Sequence, residues 1–254
     1  MKQFWTLTTE GNQVLRNLEE ENKTFTTEKY YQGKFDANNY QWYEMFNNFV
    51  HEDIGCDYER FGCVINEGDV VLDLGANIGV FAHRAETRGA SKVICFEPLS
   101  PTFDCLSKNI GPKTIAYKNA VGGKNDFVTF NIHTNFNHIG GGSANSQDLQ
   151  MTGRTIVHSE QVIMVNINQI FEGLNCKIDF MKMDIEGGEV DVLNSIKDEH
   201  LLSLRCLSTE FHKTYEEFDS FQFNFVKRME RLGFNHFTLY YGDGTTRTLN
   251  FWKR

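Results

Sequence analysis

From residue 69 onward, apolar and polar positions alternate in blocks of two kinds. Val70 to Leu74 is a short apolar run rich in β-branched residues, the pattern of a strand buried on both faces of a parallel sheet. Lys92-Val93-Ile94-Cys95-Phe96 repeats it. Thr114 to Val121 predicts a third strand, Phe127 to Ile132 a fourth extended piece, and Gln161 to Asn168 a strand or strand-helix junction. Ile178 to Met183 and Arg205 to Phe211 predict two more strands. Helical spacing fills the gaps. Val80, Phe81, Ala82 and Ala85 give one helix an apolar face that closes near Gly89. Ser100 is placed to cap a second helix, with Pro101 at its first position and Phe103, Leu106 and Ile110 as its stripe. Val190, Leu193 and Ile196 mark a third. Phe218, Phe221, Phe225, Met229 and Leu232 form the core-facing stripe of a fourth, which stops at Gly233. Phe234 to Tyr241 and Thr245 to Trp252 flank Gly242-Asp243-Gly244 and predict a terminal antiparallel hairpin. Alternating strands and helices of this kind make an α/β domain.

Two stretches lack a clean period. Residues 1–68 hold Val14, Leu15 and Leu18 among polar positions, the mark of a short amphipathic helix. A dense aromatic run, Tyr30, Tyr31, Phe35, Tyr40, Trp42, Tyr43, Phe46 and Phe49, follows. This segment is expected to be a helical extension packed over the core, or a lid over the site, ahead of a domain spanning 69–254. Residues 133–161 are polar and glycine-rich, and loops that long inside a compact domain are commonly functional. Their histidines, His133 and His138 among them, match no ligand spacing, so the stretch is expected to be a substrate loop and no metal is assigned.

The net charge of −9 over 254 residues excludes a broad electrostatic grip on nucleic acid. No apolar run approaches the roughly 20 residues that span a bilayer, and the N-terminal residues lack the apolar region of a secretion signal. The six cysteines show no Cys-x-x-Cys spacing. They are expected to be reduced, in a cytoplasmic protein.

The candidate chemistry begins at Asp73-Leu74-Gly75-Ala76-Asn77-Ile78-Gly79, a strand end, a tight turn and a helix start. In open α/β sheets ligands bind outside the carboxyl ends of strands. Gly75 and Gly79 are expected to keep side chains out of a ligand's way. A dinucleotide fingerprint requires a second glycine where Asn77 stands. The carboxylate of Asp73 suits a cation and opposes a pyrophosphate. S-adenosylmethionine carries an ammonium and a sulfonium and no phosphate, so it fits this turn better than NAD. Glu97, about 20 positions on and at the end of an apolar strand, is placed to accept the two hydroxyls of a ribose, with Pro98 beside it.

Asp73-x-Gly75-x-Asn77-x-Gly79, Phe96-Glu97-Pro98, Gly141-Gly142-Ser143 and above all Asp179-Phe180-Met181-Lys182-Met183-Asp184-Ile185-Glu186-Gly187-Gly188-Glu189 resemble the FkbM-like family of class I S-adenosylmethionine-dependent methyltransferases. The resemblance implies a Rossmann-like, doubly wound seven-stranded sheet, mostly parallel, with the C-terminal antiparallel hairpin. It implies methyl transfer, commonly to a hydroxyl of a sugar, glycan or small natural product. Cofactor residues would be Asp73, Gly75, Asn77, Gly79, Glu97, Pro98 and Asp184, and acceptor residues Gly142, Ser143 and Glu186. Residues 1–68 fall outside it, and an oligomer is possible. N-methylation, a macromolecular acceptor and a non-catalytic cofactor-binding subunit stay open.

Asp184 and the pair Glu210 and His212 are expected at neighbouring strand ends; Glu210 and His212, two apart in a strand, share a face. A hydroxyl acceptor must lose its proton, and His212 can take it near neutral pH, with Asp184 or Glu210 orienting it. Alternatively the three bind a divalent metal.

Overall fold

The computed structural model describes residues 58–133, 142–143, 156–212, 218–240 and 246–253. The amphipathic and aromatic segments before Tyr58 therefore lie outside the described residues, as do 134–141 and 144–155. Eleven strands are described: β1 (Val70–Leu74), β2 (Lys92–Phe96), β3 (Thr114–Tyr117), β4 (Ala120–Gly122), β5 (Asp126–His133), β6 (Gly142–Ser143), β7 (Ile156–Asn166), β8 (Phe180–Met183), β9 (Cys206–His212), β10 (Asn235–Tyr240) and β11 (Thr246–Trp252). The helices are α1 (Val80–Thr87), α2 (Ser100–Asn109), α3 (Ile167–Gly173), α4 (Glu189–Ser195), α5 (Asp198–Ser203) and α6 (Phe218–Arg231).

Seven strands form one sheet in the order β10-β11-β9-β8-β1-β2-β3. All neighbours from β3 to β9 run parallel, and β11 pairs antiparallel with both β9 and β10. The doubly wound α/β sheet and its terminal hairpin are thus present. Alternation along the central strands sends residues to opposite faces. Leu72, Leu74, Met181, Met183 and Leu207 pack with Ile167, Leu193, Leu201, Phe225 and Met229 from the helices α3 to α6. Val71, Val93, Cys95, Phe180 and Cys206 pack on the other face with Phe81, Ala82, Ala85 and Leu106 of α1 and α2. Burying both faces is why these strands carry no polar alternation. The strand order reverses between β1 and β8, with β2 on one side of β1 and β8 on the other. A crevice therefore opens there at the carboxyl ends.

Residues 58–68, grouped by sequence with the N-terminal extension, pack as a strap over one face. Cys63 and Ile65 join the cluster there, and buried Glu59 pairs with Arg84 and accepts the Ile65 N–H at 3.0 Å.

Three expectations need correction. Thr114 to Val121 is two strands. Register with β2 ends at Phe96 opposite Tyr117, and after Lys118-Asn119 the chain joins a second sheet as β4. The stretch 133–161 contributes strand where it is described: β4-β7-β5-β6 form a four-stranded sheet in which β5 and β7 pair over most of their length. At Ser159 and Gln161 it is polar and exposed, so there the backbone pairing leaves no apolar signature, although Phe127 and Ile163 further along are apolar and exposed. Finally, Leu99 occupies the N-cap of α2 and Ser100 its first helical position. The cap is supplied by Glu160 of β7, which accepts the Ser100 N–H at 2.9 Å.

No described helix is long and apolar enough to cross a membrane. Cys63, Cys95, Cys105, Cys176 and Cys206 are free thiols, and burial pushes the Cys95 thiol well up.

Candidate active site

Parallel pairing of β1 with β8 sets Asp73 opposite Lys182. Asp73 is wholly buried and Lys182 nearly so. The Lys182 ammonium lies 3.3 Å from Asp73 Oδ1, donates to the Gly75 carbonyl at 2.7 Å, and stands 3.8 Å from Asp184 Oδ2. Burial alone would pull the ammonium down, but Asp73 and Asp184 outweigh it and hold the pKa at about 12. Burial pushes Asp73 upward, against the pull of Lys182. The charge partner of Asp73 is thus a lysine of its own chain, which corrects the expectation that it faces a cationic ligand. An uncompensated buried carboxylate would be far costlier than this pair.

The turn after β1 is left-handed at Gly75, Asn77 and Gly79, with φ of 74, 51 and 95°. A Cβ on Gly75 would stand 1.7 Å from the Asp184 carbonyl oxygen, and one on Gly79 2.9 Å from Leu106 Cδ1. The glycines therefore let the turn nest against β8 and α2, a closer cause than ligand approach. Asparagine tolerates this backbone region better than most residues, which accounts for Asn77. Gly75 and Ala76 donate their N–H groups to the Phe96 carbonyl at 2.9 and 3.0 Å, and Asn77 donates to Glu97 Oε2 at 2.9 Å. Those three amides are spent inside the fold and cannot cradle a pyrophosphate.

Glu97 ends β2 almost buried, and its Oε1 accepts from Thr102 Oγ1 at 2.6 Å and from the Leu99 N–H at 3.1 Å. Burial raises its pKa and these donors oppose the rise. Oε1 is saturated, while Oε2 keeps one lone pair beyond its bond to Asn77. One hydroxyl can be accepted there, where the sequence led to an expectation of two. Half-buried Pro98 turns the chain into Leu99, which packs with Ala120, Phe130 and Val162 and so seats the second sheet beside Glu97.

At the end of β8, Glu186 and Gly187 take positive φ of 55 and 103°. Glu189, almost fully buried, accepts the N–H groups of Ile185 at 3.3 Å and Gly187 at 3.0 Å and so holds the turn. Strain at a non-glycine residue such as Glu186 is concentrated at functional sites in proteins generally. Tyr58 joins the strand ends. Its hydroxyl lies 2.9 Å from Asp184 Oδ2 and 2.7 Å from Glu210 Oε2, and its ring sits 5.1 Å from the Lys182 ammonium.

Asp184 and Glu210 are therefore brought together, and Asp73 is tied to Asp184 through Lys182. His212 ends β9 opposite Thr246, and its backbone alone is described. Gly142 and Ser143 stand on β6, an edge strand of the second sheet, paired with Ile132 and Asn131. Tyr58, Lys182, Thr102 and Glu189 escaped the sequence reading. Lys182 had a signal, a lone charge inside an apolar strand; Tyr58 had none, because its contacts lie 126 and 152 positions away.

Among the described residues, Asp184 Oδ1 is buried without a hydrogen-bond partner, Glu97 Oε2 has a second lone pair, and the two oxygens of Asp73 are engaged only through the charge of Lys182. They suit a ligand bearing an ammonium and hydroxyls, as S-adenosylmethionine does, and offer nothing to a phosphate.

Residues 73–235 match the model of the methyltransferase FkbM domain. The antimetabolite synthetase AmbE of Pseudomonas aeruginosa is 26% identical over 199 residues, 65% of this chain; the chain spans only 9% of that protein's length. Among solved structures, an FkbM methyltransferase from Methylobacillus flagellatus is 16% identical, with a TM-score of 0.48, covering 76% of this chain and 44% of that one. Aeropyrum pernix fibrillarin with natively bound S-adenosyl-L-methionine is 11% identical, with a TM-score of 0.42, covering 74% and 67%. The chain belongs to the family of the methyltransferase FkbM domain.

Proposed function

We propose that this methyltransferase acts on a hydroxyl of a sugar, glycan or small natural product. The observation that carries the reading is the meeting of Asp184 and Glu210 on one phenol oxygen at the carboxyl ends of adjacent strands, beside the switch point. The bound donor supplies an activated methyl group whose sulfur leaves neutral, so the leaving group needs no acid. What the chain must supply is alignment and a proton acceptor for the hydroxyl. Asp184 and Glu210 are half-buried acceptors set to align the hydroxyl. His212, two residues beyond Glu210, is the base of choice because it titrates near neutral pH. Glu97 and Asp184 would hold the donor, and the glycine turn shapes its bed. Gly142, Ser143 and Glu186 are assigned to the acceptor.

The name of AmbE, an antimetabolite synthetase, favours a small natural product, and the net charge of −9 disfavours nucleic acid. The test is incubation with methyl-labelled S-adenosylmethionine and a panel of sugars, glycans, hydroxylated natural products and amines. Label on an oxygen supports the reading. Label on amines alone overturns it in favour of N-methylation.

A further inference from the structure

Resting on the hydroxyl-acceptor reading, we propose that Tyr58 is a positioning residue whose phenol holds the Asp184 and Glu210 carboxylates together in the charged form that aligns the acceptor and orients the base. The strap that carries it is anchored away from the site. Buried Glu59, its neighbour, pairs with Arg84 of α1, and Asp69 at the strap's end pairs with Arg205. Between these anchors the phenol is presented to the crevice, with its ring edge-on to Phe81 at 5.7 Å.

Among the described residues, charged groups that face this phenol come from three strands. Asp184 and Lys182 come from β8 and its end, Glu210 comes from β9, and Asp73 of β1 acts through Lys182. From α1 the ring meets neutral Phe81. Both carboxylates reach the same phenol oxygen, so they are close enough to repel each other strongly. A donor hydrogen bonded to a carboxylate favours its charged form, and a nearby like charge disfavours it. Lys182 offsets part of the repulsion but is already engaged by Asp73 and by the Gly75 carbonyl. The phenol adds a donor that carries no charge of its own. Without it, the repulsion between the two carboxylates is offset less, and a protonated Glu210 has fewer lone pairs with which to align the acceptor or orient an imidazole.

The direction follows. Removing the phenol hydrogen removes stabilisation of the charged form, so Glu210 protonates at higher pH. Activity on the acid side is lost sooner, and at alkaline pH the variant approaches the wild type. A residue that merely braced the fold would lower the rate equally at every pH.

The first readout needs no methyl donor; the second is the rate profile of the complete reaction. In ligand-free protein carrying ¹³Cδ-glutamate, the Glu210 resonance is assigned with Glu210→Gln and followed against pH. In Tyr58→Phe its midpoint rises by about one pH unit, and the acid limb of the rate profile moves with it. An unchanged midpoint, or a uniform loss of rate at all pH values, overturns the proposal. Should Tyr58→Phe fail to fold, 3-fluorotyrosine placed at position 58 provides the second test. It is a stronger donor, so the midpoint falls, and no movement overturns the idea. A moved midpoint in a protein that methylates no hydroxyl upholds the clamp and refutes the acceptor reading alone.

Discussion

Two buried acid sites flank the glycine turn, and they are stabilised by different means. At the switch point Asp73 is compensated by a full opposite charge, Lys182, with no hydrogen bond accepted by either carboxylate oxygen. At the end of β2, Glu97 has no cation in contact among the described residues and is compensated by three hydrogen bonds, from Asn77, Leu99 and Thr102. The charge-paired site is one end of a chain of ions that runs on to Asp184 and, through Tyr58, to Glu210. It can respond to the arrival or loss of a charge or proton. The hydrogen-bonded site is rigid and nearly saturated, with one lone pair to spare. The contrast is in keeping with the proposed division, chemistry at the first and ligand selection at the second.

The largest effect expected falls on turnover. His212→Ala should lower kcat by about 10²–10⁴-fold while S-adenosylhomocysteine binds as in wild type, measured by single-turnover kinetics and calorimetry. Normal turnover would pass the base role to Glu210 or Asp184. Activity should also survive exhaustive EDTA treatment; loss that Mg²⁺ restores would favour a metal-assisted acceptor.

Lys182→Met leaves Asp73 buried and unpaired, a change that costs about 3–5 kcal/mol. At about 2–4 °C per kcal/mol for a domain of this size, melting should fall by roughly 6–20 °C. Adding Asp73→Asn should recover much of the loss; a double variant as weak as the single one would break the pairing argument. The folded pKa of Lys182 is raised from 10.5 to about 12. Its contribution is therefore complete below pH 10.5 and is lost as pH rises through about 12. Wild type should lose stability across that window more steeply than Lys182→Met, as urea titrations at each pH would show.

Ligand stabilisation comes next. S-adenosylhomocysteine at about 100 times its dissociation constant should add roughly 2.7 kcal/mol, a melting shift of roughly 5–10 °C. NAD should add none, because the turn amides are occupied by Phe96 and Glu97. A shift with NAD and none with S-adenosylhomocysteine would reverse the assignment of the turn.

The smallest effect concerns Glu97→Ala. Losing one charge-assisted bond of about 1.5–3 kcal/mol weakens the cofactor roughly tenfold to a hundredfold. The same change strips three donors of their acceptor, so the melting temperature should fall as well. Calorimetry well below that temperature separates the two, and unchanged affinity would leave Glu97 a purely structural brace.

Much of this was legible in the chain itself. Val71, Leu72 and Leu74, Val93 to Phe96 and Met181 to Met183 declare buried strands because both of their faces are covered, and a buried strand needs apolar side chains throughout. The stripe of α6 is equally plain, with Phe225 and Met229 buried where helical period places them. Asp184 and Glu210 were legible as acids at strand ends. Three things were decided only by tertiary structure. Phe127 to Ile132 and the strand from Gln161 were legible, but the first half of β7, Ile156 to Glu160, is held to β5 by backbone pairing that asks little of its side chains, so it read as part of a loop. Asp73 needed a partner, and its identity as Lys182 depends on which strand lies beside β1, which local pattern does not encode. Tyr58 lies in a segment with no period at all, and only the folding of the strap across the sheet carries its hydroxyl to two carboxylates more than a hundred positions away.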